Sequence, residues 1–359
     1  MTRTTWVLAL LLLTIGIANG AVPLDAIKVF GTPSSICLPD ETSTPDGMTV
    51  GRDGKIYLNM LNLQVPAVAA VWTLDEDDTL EKLTDLPVHA ETDGVYPLGI
   101  AQGADGNLYI ADNQTFGENA EHMSRLLRVV MKRGQAKRVD CVATGFIAAN
   151  AVEAFGDAIY VTETCLINGA EPHVSGLYRF DLDELSARKP VQLKPDGADP
   201  RLVARFTTTA SDWRKGVGAN GMAISPDGRL FVCNFGEAAI LTAPLKDDGF
   251  LAKPLTALVK GDGMGSADGL KYIPAWGKLV VADFFGNAVH MVDAETGRVK
   301  TLAQNPNSTG ANGKLDKPSE PCVRGTTIYA SNIDLPYDGN ESDKPDSLTV
   351  IQLNVPADE

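Results

Sequence analysis

The chain has 359 residues, of which 44% are hydrophobic, and its formal net charge is −15. A chain this acidic is repelled by nucleic acid and by anionic lipid, so we expect neither as a partner. The 34 glycines and 21 prolines are typical of an all-β protein with many tight turns.

The first 20 residues, MTRTTWVLALLLLTIGIANG, predict a secretory signal peptide. Arg3 supplies a positive charge, residues 6–17 form an apolar core, and residues 18–20 offer small side chains for cleavage. The apolar core is shorter than the ~20 residues that a membrane span needs. We therefore expect a secreted or periplasmic protein with one domain over residues 21–359 and no membrane partner after cleavage.

A strand–turn–strand motif recurs six times along the chain. Each copy has a short apolar strand, a glycine-containing turn and a second strand that begins with a large apolar residue, as in GANGMAISPDGRLFVCNF from Gly218. The anchor residue, defined here as the residue that opens the first strand, recurs at intervals of 52, 52, 70, 48 and 52 residues. A period of about 50 residues built from strands predicts a β-propeller, here with six blades of four antiparallel strands. The six anchors are Asp46, Leu98, Asn150, Asn220, Asp268 and Glu320.

Both ends of the chain contain a strand-like segment. Residues 26–31 (AIKVFG) precede the first anchor and have no blade of their own, whereas residues 347–355 (SLTVIQLNV) end the last blade. We predict that the early segment becomes the outer strand of the sixth blade, because closing the ring removes exposed sheet edges. A two-domain β protein is the alternative, but it does not explain the even spacing.

Five cysteines leave at least one thiol unpaired, even in an oxidising compartment. Cys37 precedes the first blade and Cys322 lies in the inner strand of the sixth, so a bridge between them could lock the ring; two separate thiols are the equal alternative. No cysteine or histidine cluster has the spacing of a structural zinc site.

The anchors predict a cation site. The first strand of each propeller blade lies nearest the central axis, so the anchors converge at one end of the channel, called here the mouth. A single Asp-Gly or Asn-Gly would be read as an ordinary turn. Together, however, convergent carboxylates repel each other unless a cation neutralises them. Oxygen ligands favour Ca²⁺, with Mg²⁺, Mn²⁺ or Zn²⁺ as alternatives. The candidate ligands are Asp46, Asn150, Asn220, Asp268 and Glu320.

The loops that follow the second strands return to the same mouth. They are short in the fourth and fifth copies and long in the second, third and sixth. Long loops around a channel mouth commonly shape a binding pocket. We expect them to bring His122, His173, Phe284 and Phe285 to a small-molecule substrate. Either histidine could move a proton, and an exposed histidine without a role is the alternative.

At these motifs the sequence resembles the SMP-30/gluconolactonase family, which includes senescence marker protein, luciferin-regenerating and diisopropylfluorophosphatase-like enzymes. The resemblance implies a six-bladed propeller with one catalytic divalent cation, usually Ca²⁺, at the mouth. The family's ligands are Glu, Asn, Asn and Asp, which by position fall on Asp46, Asn150, Asn220 and Asp268. Asp46 departs from the family's Glu, and Glu320 departs because the sixth blade usually supplies no ligand.

The resemblance and the anchors together predict a divalent-cation-dependent hydrolase that acts on a lactone or related ester, with phosphoester cleavage as a close variant. Asp268 is the candidate catalytic residue, since a carboxylate at the cation can orient or deprotonate the attacking water. No GxSxG motif indicates a Ser-His-Asp hydrolase. Two alternatives stay open: a non-catalytic exported binding propeller with a structural cation, and a metal-free enzyme similar to strictosidine synthase.

Overall fold

The computed structural model describes residues 22–118, 120–210 and 213–356. The predicted signal peptide lies outside the described residues. Within these ranges the chain forms strands and short 3-10 helices, and it has no α-helix. No helix in this part of the chain is long and apolar enough to cross a membrane. The 3-10 helices are Leu24–Ala26, Gln114–Phe116, Pro195–Gly197, Trp213–Gly216 and Phe235–Glu237.

The strands form six sheets, each built on four antiparallel strands, so the predicted six-bladed β-propeller is confirmed. The strands follow the order of the chain in blades 1–5, whereas the outer edge of blade 6 comes from the start of the chain; blade 2 gains a short parallel strand at its outer edge. From inner to outer strand, blade 1 is Pro45–Val50, Ile56–Met60, Ala70–Leu74 and Leu80–Asp85; blade 2 is Pro97–Gln102, Leu108–Asp112, Ser124–Lys132 and Gln135–Phe146; and blade 3 is Ala149–Phe155, Ala158–Glu163, His173–Asp181 and Leu202–Thr208. Blade 4 is Ala219–Ile224, Arg229–Asn234, Ala239–Pro244 and Thr256–Lys260; blade 5 is Leu270–Ile273, Lys278–Asp283, Ala288–Asp293 and Val299–Gln304; and blade 6 begins with Pro318–Arg324, Thr327–Asn332 and Ser347–Asn354.

The core lies between neighbouring blades. The second strand of each blade is buried along nearly all of its length, because sheets cover both of its faces, whereas outer strands such as Leu80–Asp85 are largely exposed. Phe231 and Ile240 of blade 4 pack in one cluster with Leu279 and Val281 of blade 5. This burial on both faces explains why the second strands are continuous apolar runs in the sequence.

The sixth blade joins both ends of the chain, as predicted. Lys28 pairs with Asn354, so the early segment does become an outer strand, although Lys28–Val29 is only two residues long. A second segment, Ser34–Cys37, pairs with the same strand and completes the edge. The sequence did not predict this second segment.

The suggested disulfide bridge is wrong. All five cysteines are free thiols. Cys37 and Cys322 lie in the same blade, but two strands separate theirs. Three strand spacings of ~4.8 Å place the two residues ~14 Å apart, far beyond disulfide reach.

The longest interval between anchors reflects an extra excursion of the chain. After the third strand of blade 3, Val191–Gln192 pairs in parallel with the outer strand of blade 2. Only then does the chain return as Leu202–Thr208, the outer strand of its own blade. The 70-residue interval therefore contains a connection between two blades rather than a seventh blade.

Candidate functional site at the channel mouth

The inner strands begin around one cavity of about 600 Å³. All six anchors line it, so the convergence expected from their spacing is present in the structure. Asp46, Asp268 and Glu320 are each more than nine-tenths buried at its base. The full set of anchors in the cavity wall is Asp46, Leu98, Asn150, Asn220, Asp268 and Glu320.

Glycines after the anchors let neighbouring inner strands touch. The Gly221 amide donates to the Asp268 carbonyl oxygen at 3.1 Å, and the Gly269 amide donates to the Ser319 carbonyl oxygen at 2.7 Å. A Cβ atom on Gly221 would lie 2.5 Å from the Asp268 carbonyl oxygen, and one on Gly269 would lie 2.4 Å from that of Ser319. Since no side chain fits there, glycine is what permits this close approach.

In several blades, a buried carboxylate accepts hydrogen bonds from the backbone segment just before the anchor and holds that segment in place. In blade 5, Asp283 ends the second strand and accepts hydrogen bonds from the backbone amides of Gly265 and Ser266, both at 2.7 Å. It also lies 3.1 Å from Nε2 of the buried His290. Because Asp268 follows two residues after Ser266, this side chain positions the anchor from behind, outside the cavity.

The same arrangement recurs in other blades and was missed in the sequence analysis. Asp112 accepts from the backbone amide of Tyr96 at 2.8 Å, and Glu163 accepts from that of Ala148 at 2.5 Å. Tyr96 and Ala148 each lie two residues before the anchor of their blade. The signal is visible in the sequence as a polar residue at the end of five of the six apolar second strands. The positions are Asp112, Glu163, Asn234, Asp283 and Asn332.

The mouth carries excess negative charge. Burial, and then the nearby Glu320, raise the pKa of Asp46 to about 7 against a hydrogen bond from Ser319. Burial raises the pKa of Asp268 well above its usual range; Asp46 and Glu320 add to the rise, and a hydrogen bond from Asn220 opposes it. Both carboxyls are therefore easier to protonate than exposed ones.

Lys271 offsets part of this charge from inside the channel. Its Nζ lies 2.8 Å from Oε1 of Glu320. Deeper in the channel, burial raises the pKa of Glu153 to about 7, and Lys271 opposes that rise. Neither Lys271 nor Glu153 was identified from the sequence. The only signal is a charged residue inside an otherwise apolar inner strand, such as Leu270–Ile273.

The amide anchors are held by neighbouring hydroxyl groups. Asn150 donates from Nδ2 to Oγ1 of Thr164 at 3.2 Å, and Thr164 in turn donates to the carbonyl oxygen of Ala219 at 2.6 Å. The amide oxygen of Asn150 is thus the end that can face a ligand. Although this copy lacks the glycine that follows the other polar anchors, Asn150 still reaches the cavity wall.

Aromatic rings form one wall of the cavity. Phe284 and Phe285 both line it, as predicted, and their ring centroids lie 4.8 Å apart in an edge-to-face arrangement. Phe235 packs edge-to-face on Phe285 at 5.4 Å. Leu335 and Tyr337, from the long loop of blade 6, extend this apolar wall and were not singled out from the sequence.

No histidine of the described chain lines the cavity. His173 begins the third strand of blade 3, and its Nε2 lies 2.7 Å from the carbonyl oxygen of Thr164, so the ring is engaged by its own blade. His122 adopts a left-handed conformation, with φ of 59°, in the blade 2 loop. The structure thus brings Phe284 and Phe285 to the site but not these two histidines.

No protein-family model and no curated protein sequence matches the chain. Solved structures do match. A PQQ-bound aldose sugar dehydrogenase from Streptomyces coelicolor has a TM-score of 0.58 at 14% identity, covering 93% of this chain and 100% of its own. A gluconolactonase from Xanthomonas campestris has a TM-score of 0.56 at 17% identity, covering 93% and 97%. A luciferin-regenerating enzyme has a TM-score of 0.57 at 12% identity, covering 89% and 95%. At these identities, the chain shares the propeller fold of gluconolactonases and related propeller enzymes, and the likeness extends no further than the fold.

Proposed function

We propose that this protein is an exported hydrolase that cleaves a lactone or related ester at the channel mouth with the help of a divalent cation. The observation that carries the proposal is the convergence of buried carboxylate and amide oxygens at the base of a cavity with an aromatic wall. A cavity of about 600 Å³ suits a small-molecule substrate.

The donor set fits a hard cation. The side chains that would hold it offer only oxygen, and the carboxylates outnumber the one lysine paired with them. When bound, Ca²⁺ at this position supplies Lewis-acid polarisation of a carbonyl oxygen. Glu320 can contribute through Oε2, since Oε1 is engaged by Lys271. The proposed ligands are Asp46, Asn150, Asn220, Asp268 and Glu320.

Asp268 is the proposed general base. Asp268 is buried at the mouth beside the other proposed ligands, where a carboxylate can orient or deprotonate a water held by the same cation. Asn220 orients the carboxylate through a hydrogen bond, and the apolar wall keeps bulk water away from the reacting group. Cys165 also lines the cavity, but burial raises its pKa to about 11, so it is a thiol and a poor nucleophile.

One observation favours the metal-free alternative. Lys271 already neutralises part of the charge at the mouth through its contact with Glu320. A propeller without a cation could use this pair to keep the channel stable, as in an enzyme similar to strictosidine synthase. Metal analysis and a chelator distinguish the two enzymes. The cation-dependent hydrolase contains a metal and loses its turnover of a lactone panel when the chelator is added, whereas the metal-free enzyme shows neither property.

Two substitutions distinguish a residue that only binds the cation from the residue that acts as the general base. Asn220→Ala removes a neutral ligand, so excess Ca²⁺ should recover part of the lactone turnover. Asp268→Asn keeps one oxygen but removes the basic group, so turnover should fall by about 10²-fold or more and Ca²⁺ should not restore it. Asp157→Asn, in an exposed turn of blade 3, is the matched control. Full rescue of Asp268→Asn by Ca²⁺ would leave Asp268 as a ligand only.

A further inference from the structure

A second group of carboxylates lies outside the cavity, where the long loop of blade 6 folds back on its blade. Asp316 precedes the inner strand, and Asp334 and Asp343 belong to the loop of residues 333–346. One oxygen of each lies within 4.8 Å of the other two. In the described part of the chain, no other three acidic, histidine or cysteine side chains approach so closely, the mouth carboxylates included.

Backbone and side-chain donors hold one member of this loop trio in place. Asn340 donates from Nδ2 to Oδ1 of Asp334 at 2.8 Å, and the backbone amide of Asp343 donates to Oδ2 of Asp334 at 2.9 Å. The hydroxyl of Ser342 donates to the carbonyl oxygen of Asp334 at 2.8 Å. Asp334 is thus oriented by the loop, and each of its oxygens keeps a further lone pair.

The other two members point to a ligand. Oδ1 of Asp316 and Oδ1 of Asp343 are buried, and neither has a hydrogen-bond partner among the described residues. Asp316 is only 2% exposed. A buried charged oxygen without a partner costs more free energy than a buried neutral group, so native proteins satisfy such atoms with water or an ion.

The neighbouring lysines form no ion pair with the trio, although the nearby Lys317 lowers the pKa of Asp316. Nζ of Lys317 lies 5.5 Å from the ring centroid of Phe284 and has no hydrogen-bond partner in the described chain. Lys344 forms its salt bridge with Asp346. No salt bridge found among the described residues involves Asp316, Asp334 or Asp343, so their mutual repulsion is not offset by an ion pair.

We propose that Asp316, Asp334 and Asp343 bind a second Ca²⁺ ion, separate from the cation proposed at the mouth. Carboxylate oxygens are the ligands that Ca²⁺ prefers, and Ca²⁺ tolerates variable geometry whereas Mg²⁺ demands a near-ideal octahedron. The same loop carries Leu335 and Tyr337 to the cavity wall. The second ion therefore stabilises that wall and takes no part in the reaction.

Equilibrium dialysis with ⁴⁵Ca²⁺ on the purified protein tests the site. A double variant, Asp46→Ala with Asp268→Ala, removes two carboxylates from the mouth and is called here the mouth variant. It should retain about one bound ion per chain, and adding Asp343→Asn should weaken that binding about tenfold or more. Asp338→Asn, an exposed acid in the same loop, is the matched control and should leave it unchanged. The proposal is overturned if the mouth variant binds no Ca²⁺, or if Asp343→Asn leaves its binding unchanged.

Limited proteolysis provides a readout that does not depend on the variants folding identically. The Tyr337 side chain is 50% exposed, so chymotrypsin can reach the loop. Ca²⁺ should slow cleavage after Tyr337 at least several-fold in both the wild type and the mouth variant. Equal cleavage rates with and without Ca²⁺ would contradict a cation in this loop. Both assays are independent of lactone turnover, so they can fail or succeed whatever the mouth does.

Discussion

The ion pair inside the channel allows the charge balance of the mouth to be measured. Lys271→Met keeps the length of the side chain but removes its charge, which leaves Glu320 and Glu153 without their cation. The side chains of Lys271 and Glu320 are only 20% and 11% exposed, so water screens them poorly. Breaking a buried pair by removing one partner costs ~3–5 kcal/mol. We expect the free energy of unfolding to fall by that amount at pH 8.

Urea unfolding of a double-mutant cycle checks this value. Lys271→Met combined with Glu320→Gln should cost less than the sum of the single substitutions, because neither charge is then left alone. Lys137→Met, on the exposed edge of blade 2, should change the unfolding free energy by no more than ~0.5 kcal/mol. A cost below ~1 kcal/mol for Lys271→Met, or strict additivity in the cycle, would refute the view that this lysine neutralises the channel.

Three other perturbations follow from the structure. Burial raises the pKa of Glu163 to about 8 from its ordinary value of 4.5, so the stability that its proton supplies is present below pH 4.5 and lost as the pH rises through 8. Glu163→Gln should flatten this fall in the free energy of unfolding between pH 5 and 9. An unchanged slope would contradict the shift. Gly269→Ala forces apart the inner strands of blades 5 and 6, so thermal unfolding should show a loss of ~1–3 kcal/mol; a neutral result would mean that the strands can separate freely. A thiol reagent should label the exposed Cys37 in the native protein but the buried Cys233 only after unfolding, and early labelling of Cys233 would argue against the burial seen here.

The fold could be predicted from the sequence because each blade repeats one local pattern at nearly constant spacing. The ring closure was only partly predictable, since Ser34–Cys37 is too short and polar to be recognised as a strand before its partner is known. The anchors could be placed at the mouth because the inner strand of a propeller blade has a fixed position. Their convergence can be predicted from the order of the strands alone.

The direction of individual side chains was beyond the sequence. Register shifts occur just after the anchors, for example between Ala149 and Val152, and they change which residues face the channel. Glu153 could not be assigned to the channel for this reason, whereas the inner strand of Lys271 has no such shift and its place in the channel was not recognised. The His173 ring turns to the carbonyl oxygen of Thr164, a contact that exists only once blade 3 has folded. Loop position was therefore predictable, and loop side-chain contacts were not.

Charge balance connects the proposed cation with the proposed base. If the carboxyls of Asp46, Glu153, Asp268 and Glu320 were all ionised, Lys271 would leave the channel with three uncompensated negative charges. A divalent cation would remove two of them, and one proton shared among the carboxyls would remove the third. Raised pKa values for Asp46 and Glu153, near 7, mean that such a proton is exchangeable near neutral pH. Because a cation and protons compete for the same oxygens, binding of the cation would lower the affinity of the carboxyls for the remaining proton. A site that held a cation and an easily exchanged proton side by side would have what ester hydrolysis needs, which is why we propose a hydrolase rather than a propeller that only binds its ligand.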